Sequence, residues 1–523
     1  MTSTIKNKAL SLPAILTGLF FFIVFLLLLS ASMNTPLDHD ENLFIAGGKL
    51  LAAKGMMPYV DYLYCHMPYL VFLYALIFRF CDWLLLSARL VSVTSSFLIL
   101  VLVFLTATRT FIDYRRPLRY LIGACFVTVL LNNPLFLYAN NKSWNHALPE
   151  LLILLAFFLA VHKQDYRLYK KNIFLAGVLI GLVIGIRLTF IFMPVPFLVM
   201  ICLYQKPIRP QQKLMLVLFF FLGLTLALLP ALGIFTLAPE RFWFQRSINK
   251  FSIAFWQAAG NKIAMDIPGK FEYMKLNVLG QPCNLLLAFT FSFFTCVCIL
   301  KKQLNVKSAP EIVLLLLLLP FLLLSSLVPT PSWYQYFYAP VPILVCGILF
   351  CMRNLLRDRI QSKPVFIFFL LLVALTNYYG ELGVMRSASY LKMVVSPAAW
   401  ETVKIHRGGQ VLGRMVQGGK VLTLAPILPL EGNREIYKEF AMGLFAWRLT
   451  NLMSTSQRAS YGIVSPEELE GFLKNDFPAA IFVGFEGVLE DPFIVFAQKQ
   501  GYREITLSDK VTLWRAPKKL PAK

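Results

Sequence analysis

A chain of 523 residues that is 58% hydrophobic, 15% charged and rich in Phe, with 46 of them, is too apolar for a soluble globular protein. Its mean hydropathy of +0.66 marks a polytopic membrane protein. The formal charge of +23 would suit a nucleic-acid surface, but the basic residues fall in short clusters between apolar runs, as at Arg109–Arg119, Lys163–Lys171, Lys206–Lys213, Lys301–Lys307 and Arg353–Lys363. The positive-inside rule places such clusters in cytoplasmic loops, so the charge reads as topology and excludes nucleic acid as a partner.

Lys6 and Lys8 precede an apolar run from Leu12 to Ala31, long enough to span a bilayer and expected to be an uncleaved signal anchor with its N-terminus inside. A polar segment from Asn34 to His66 follows, then further apolar runs at Met67–Asp82, Ser87–Thr108, Tyr120–Tyr138, Leu148–Val161, Ile173–Ile186, Leu188–Tyr204, Leu214–Leu237, Leu285–Leu300, Ile312–Leu327, Tyr336–Met352 and Val365–Tyr378. These twelve runs predict a polytopic α-helical domain over residues 1–380 with 11 to 13 transmembrane helices. Eleven crossings, with one segment between Met67 and Thr108 failing to span, put every basic cluster inside. The outer loops 33–66 and 238–284 and the C-terminal region then lie outside.

Residues 381–523 read differently. "KVLTLAPILPLEGN", "EELEGFLKNDFPAAIFVG" and "VTLWRAP" interleave β-rich runs with helical patterns near Glu435–Arg448 and Glu467–Lys474, which predicts a small extracytoplasmic α/β domain. None of its strands leads into a phosphate-cradling glycine motif, so a docking or acceptor-presenting role suits it better than nucleotide chemistry. The nine cysteines include no CxxC; a Cys65–Cys283 disulfide is conceivable from their sides, and free thiols are the favoured reading.

The densest polar feature is "LDHDE". Asp38 with Glu41 three residues later makes a capping-box pattern at the head of a helix, "ENLFIAGGKLLAAKG", expected to lie amphipathically on the membrane surface with Lys54 snorkelling. Capping explains Asp38 and Glu41. Asp40 is left over, and heads the stripe of Leu43 and Phe44; a carboxylate held there suits general-base work on an acceptor hydroxyl. Three acids so close also allow a divalent metal, but no second ligand cluster accompanies them, and no metal or other cofactor is expected.

The stretch from Leu37 to Phe80, followed by "SARLVSVTSS", resembles the start of the polyprenyl-phosphate-sugar-dependent GT-C glycosyltransferases, a group that includes protein O-mannosyltransferases and lipid A aminoarabinose transferases. The likeness is carried by Asp40 and Glu41, Lys54 and Gly55, Tyr59 and Asp61, Pro68, and Ala88 to Leu90; "LAGVLIGLVIGIRLTF" and "PSWYQYFYAPVPILV" extend it to about Tyr379. It implies an inverting transfer from a polyprenyl-phosphate sugar to a glycan, lipid or protein hydroxyl, with Asp40 as base, Glu41 in the catalytic site, and Tyr59 and Asp61 near sugar or acceptor.

The departing phosphate calls for cations at the outer surface. His66, two residues before Pro68 and near where several relatives carry Lys, is a candidate for binding the phosphate or for an interfacial hydrogen bond. Arg187, between two apolar runs, is costly in lipid and marks a functional site or a helix end meeting headgroups. Tyr336 sits in the segment that approaches the donor phosphate in relatives. Arg241 and Arg246 belong to a basic, aromatic loop, "APERFWFQRSINKFSIAFWQ", suited to an interfacial flap. Glu150 is expected to make a structural hydrogen bond. The rival readings are a transporter or flippase of lipid-linked sugars and a non-catalytic binder of them; a transporter should put charges at the bilayer midplane, where these spans are almost charge-free.

Overall fold

A computed structural model describes residues 12–161, 165–203, 209–258, 260, 264–306, 309–356, 362–416, 418–508 and 510–517. Each of the twelve apolar runs is helical, because in lipid a helix alone satisfies every backbone group within one segment. In chain order the helices are α1 (Leu12–Asn34), α2 (His39–Lys54), α3 (Tyr69–Phe78), α4 (Leu84–Thr110), α5 (Arg116–Leu131), α6 (Pro134–Asn140), α7 (Ala147–Val161), α8 (Tyr166–Ile186), α9 (Pro194–Leu203), α10 (Pro210–Leu237), α11 (Pro239–Ala258), α12 (Ile267–Tyr273), α13 (Pro282–Leu300), α14 (Pro310–Leu327), α15 (Pro340–Leu356) and α16 (Ser362–Tyr379). Proline opens many of them, where its missing N–H removes no intrahelical bond.

Seven helical stretches are long and apolar enough to cross a membrane unaided: α1, α4, α8, α10, α13, α14 and the span Tyr334–Leu356, which contains α15. The pair α5 and α6, bent by 67°, makes an eighth if taken as one span, and α3, α7, Leu188–Leu203 and Lys363–Tyr379 are shorter apolar helices. The expected 11 to 13 crossings therefore resolve into seven full-length helices, one bent pair and four short ones. At 10 residues α3 rises about 15 Å, roughly half a hydrocarbon core of about 30 Å.

Small residues fix the tightest helix pair. A Cβ added to Gly177 would lie 2.1 Å from the Phe220 carbonyl oxygen, and one on Gly223 would lie 2.2 Å from that of Phe174, so α8 and α10 pack backbone to backbone. Gly177, Gly181 and Gly185 recur every fourth residue, the small-residue spacing by which membrane helices approach closely.

After α16, α17 (Val384–Val394) lies along α1, with Ser30 Oγ donating to the Tyr390 carbonyl at 2.6 Å. The α/β fold itself begins with α18 (Glu401–Met415) and carries a five-stranded sheet of order β2-β1-β3-β5-β4, built from β1 (Lys420–Leu422), β2 (Glu435–Ile436), β3 (Ala480–Val483), β4 (Arg503–Thr506) and β5 (Thr512–Arg515). Strand β1 runs parallel to β2 and β3, and β5 antiparallel to β3 and β4. The region Glu435–Arg448, read as helical, instead holds β2, a short turn of 3-10 helix and the four-residue α20 (Leu444–Trp447). Between β1 and β2 lies α19 (Ile427–Glu431), the element that docks this unit on the membrane domain.

That docking overturns the expected placement of α2. The helix does not float at a lipid surface: Glu41 through Gly48 are all buried, and Gly47 and Gly48 have no room for a side chain against Tyr62, Val71, Tyr74 and Phe78. From above, the Ile427 N–H donates to Asn42 Oδ1 at 3.3 Å, and Lys54, rather than snorkelling, pairs with Glu435 at 2.7 Å. Beside it the Leu85 N–H donates to Glu431 Oε1 at 2.8 Å, while His406 pairs with Glu431 at 2.6 Å and stacks on Trp83 with ring centroids 3.8 Å apart. All nine cysteines are free, Cys65 and Cys283 included.

Candidate active site

The first turn of α2 sorts its acids by partner. Asp38 is the N-cap: its side chain accepts from the Asp40 N–H at 3.0 Å, and Glu41 reaches back to the Asp38 N–H at 3.1 Å, completing the capping box. Asp38 also pairs with Lys142 at 2.8 Å. Burial, the largest single influence, opposes its charge, but the Lys142 ammonium, joined by His39 and the Asp40 N–H, more than offsets it and lowers the carboxyl from its usual value.

Glu41 is fully enclosed, and so is its partner Arg89. The guanidinium grips it through Nε at 2.9 Å and Nη2 at 2.6 Å, and the Ser143 N–H and hydroxyl each donate to Oε1 at 2.9 Å. Arg89 places its remaining N–H groups on the carbonyls of Ser32, Thr35 and Pro36. With the Asp38 N–H, the carboxylate accepts five hydrogen bonds and has no lone pair open to a substrate. Burial raises its carboxyl less than Arg89 and these donors lower it. Glu41, expected in the chemistry, is thus the knot that ties α1, α2, α4 and the loop before α7 together.

Asp40 contrasts with both. About a third of its side-chain surface, 32%, stays exposed, and its nearest ionic neighbour is the exposed His39 at 3.4 Å. Protein mass on the other sides removes the water that would stabilise its charge. That burial, joined by the adjacent Asp38 charge, pushes the carboxyl up to about 6, against the pull of His39, Arg448 and Lys142.

Cations and rings gather nearby. Arg187, 8% exposed, follows the last residue of α8; its guanidinium lies 4.9 Å from the Tyr336 ring centroid, with Nε 3.1 Å from Thr189 Oγ1 and Nη1 3.4 Å from Asn145 Oδ1. Tyr336 lies within electrostatic reach of both Arg187 and Asp40. His66 stacks on Phe44 of α2 at 5.1 Å, and burial plus the Arg187 charge push its imidazole down to about 3. Of the two expected readings, an imidazole held so low fits a neutral hydrogen-bonding group better than a cation. His146 is 4% exposed, sits 4.7 Å from the Tyr338 ring, and has neither ring nitrogen bonded; burial and Arg187 hold it well below the usual histidine range.

The other expected residues are placed as follows. The Tyr59 phenol is buried and donates to the His66 carbonyl, and the Asp61 carboxylate accepts from the Met57 N–H at 2.6 Å, so both shape the loop that carries His66. Arg241 donates to the Val60 carbonyl at 2.9 Å and also contacts those of Tyr59 and Ser460, which commits it to tying α11 to that loop and the α/β unit instead of to a phosphate. The Arg246 side chain lies outside the described residues. Glu150 accepts from Asn140 at 2.8 Å, the structural bond expected.

Three residues escaped the sequence reading: Lys142 and His146 in "NNKSWNHALPE", and Arg448 after α20. The polar island of residues 140–146 between apolar runs was the available signal for the first two. Asp38, His39 and Asp40 each offer a ligand atom within 4.8 Å of one another. Asp38 is already held by Lys142, and Lys142 and Arg448 set positive charge beside the group, so these residues suit a resident divalent cation poorly.

No protein-family model matches the chain, and no curated protein matches its sequence. Among solved structures it is similar to ArnT from Cupriavidus metallidurans bound to undecaprenyl phosphate, with a TM-score of 0.62 and 14% identity over 97% of this chain and 99% of that one. It is also similar to the apo state of that protein, with a TM-score of 0.56 and 14% identity over 96% and 97%. ArnT is a lipid A aminoarabinose transferase of the GT-C superfamily. The fold of this chain, membrane helices and C-terminal sheet together, is similar to that of ArnT.

Proposed function

We propose that the chain is an inverting glycosyltransferase that moves a sugar from a polyprenyl-phosphate donor to an acceptor hydroxyl at the outer face of the bacterial cytoplasmic membrane. The observation that carries this reading is Asp40: a part-exposed carboxylate whose affinity for protons is raised towards neutrality, set between committed acids and near Tyr336, whose ring lies 4.9 Å from Arg187, an arginine with no acid partner among the described residues. The ArnT likeness supports the donor class, since that structure holds undecaprenyl phosphate.

The reaction is one displacement. Asp40 takes the acceptor O–H proton as the acceptor oxygen bonds to the anomeric carbon. The bond from that carbon to the phosphate oxygen breaks, its electron pair leaves on polyprenyl phosphate, and the configuration inverts. Arg187 meets the charge that grows on the phosphate, and the Tyr336 hydroxyl and the neutral imidazoles of His66 and His146 offer hydrogen bonds to it. The acid is not needed to activate a nucleotide, and the α/β unit has no such motif. Direct docking of that unit on α2 supports placing it on the same, extracytoplasmic side as the first loop.

Mass analysis of glycolipids and glycoproteins in cells lacking the gene tests the reading. A transferase predicts accumulation of one polyprenyl-phosphate sugar and loss of one glycosylated product, both reversed by the wild-type gene. An unchanged profile of lipid-linked sugars and products would overturn it.

A further inference from the structure

Arg448, like Arg187, has no acid partner among the described residues, and unlike Arg187 it comes from the C-terminal unit. It follows α20 in the C-terminal unit, where Trp447 is anchored by a 2.8 Å bond from Nε1 to the Leu489 carbonyl. Its guanidinium is set among three rings, 4.8 Å from the centroid of Phe445 in its own unit and 5.2 and 5.3 Å from those of Phe255 and Trp256 in α11. Ring faces hold the plane of a guanidinium while leaving its N–H edges for an anion. Those edges are unclaimed: Nε is buried without a hydrogen-bond partner, and among the described residues Arg448 forms no ion pair. Arg89 and Arg458, by contrast, are each closed by a carboxylate at 2.6 Å.

A part-buried guanidinium whose Nε is shut off from water and left unpaired is costly, and the cost is offset when a ligand of opposite charge arrives. Arg448 stands beside the head of α2, since the Phe445 ring it lies against is itself 5.9 Å from the ring of His39, the residue before Asp40, and its charge acts on Asp40 and Tyr336. Arg187 and Arg448, neither with an acid partner among the described residues, share this neighbourhood with two part-exposed carboxylates, Asp40 and Glu486, and it is the unclaimed guanidinium edge of Arg448 that fits a phosphate oxygen.

We propose that Arg448 binds the phosphate of the lipid-linked donor, so that the α/β unit supplies half of the phosphate site and the site is complete only with that unit and α11 in place. This rests on the transferase reading, which takes the donor to carry a phosphate.

The test uses the full chain in lipid nanodiscs, with undecaprenyl phosphate and undecaprenol as probes, for wild type, Arg448→Met and Arg448→Lys, each checked for a wild-type melting curve. Loss of one charge-assisted contact is expected to weaken undecaprenyl phosphate binding about 10- to 100-fold in Arg448→Met. Undecaprenol binding should stay at the wild-type level, and Arg448→Lys should recover most of the difference. Equal phosphate-lipid affinity in wild type and Arg448→Met would overturn the proposal, as would an equal loss for both lipids, which a packing role in the ring cage produces. Failure of wild type itself to prefer the phosphate lipid would instead strike the transferase reading.

Discussion

Two carboxylates one residue apart in α2 have opposite surroundings. Glu41 is closed on every side by Arg89, Ser143 and the Asp38 N–H, while Asp40 stays part-exposed in a region where Arg448 Nε and both His146 ring nitrogens have no protein partner. The difference teaches where to look for chemistry in a membrane protein of this kind. A satisfied buried ion pair fixes geometry; a neighbouring set of unsatisfied groups awaits a substrate. Helix geometry produces the split, since successive residues point about 100° apart, so position 41 turns into the bundle when position 40 turns out.

The comparison can be broken by exchanging roles. Asp40→Asn removes only the base and should lower the transfer rate about 10²- to 10⁴-fold with an unchanged melting curve, read in the purified protein. Arg89→Met leaves Glu41 buried and unpaired, and should cost about 3–5 kcal/mol of stability, seen as a large fall in melting temperature and in membrane yield. If Arg89→Met instead melted like wild type and merely turned over slowly, the division between structural and chemical acids would be lost.

Smaller effects sharpen the contrast. Arg187→Met should weaken undecaprenyl phosphate binding about 10-fold or more, the scale of one charge-assisted contact, without moving undecaprenol. The pH profile follows from the raised Asp40 carboxyl: the base form is the deprotonated one, so kcat/KM should climb with pH through about 6 and level above it. Asp40→Asn should flatten that limb. The smallest expectation is no effect: because Lys142 and Arg448 flank the acidic triplet, EDTA should leave transfer unchanged.

Much of the frame was legible in the chain. The twelve apolar runs are twelve helices or bent pairs, and the Asp38–Glu41 capping box forms as its spacing implies. Local rules sufficed there, because capping and span length depend on neighbours in sequence. The rest depends on distant residues. Glu41 and Arg89 are 48 residues apart, and nothing in "SARL" tells which acid it will hold. Likewise, α2 read as a surface helix because its pattern could not announce that α19 would cover it, and Lys54 found Glu435 from the far end of the chain. Arg448 was invisible for the same reason: it reaches the cleft only through docking of the α/β unit and the rings of α11.

The base is the centre of this account, and single-turnover transfer tests it most directly. Donor lipid isolated from cells lacking the gene would be mixed with membranes containing wild-type or Asp40→Asn protein in equal folded amount, and release of polyprenyl phosphate would be followed in time. The account predicts that the variant binds the donor as wild type does and releases polyprenyl phosphate at least about 100-fold more slowly. Release at the wild-type rate by Asp40→Asn would contradict it.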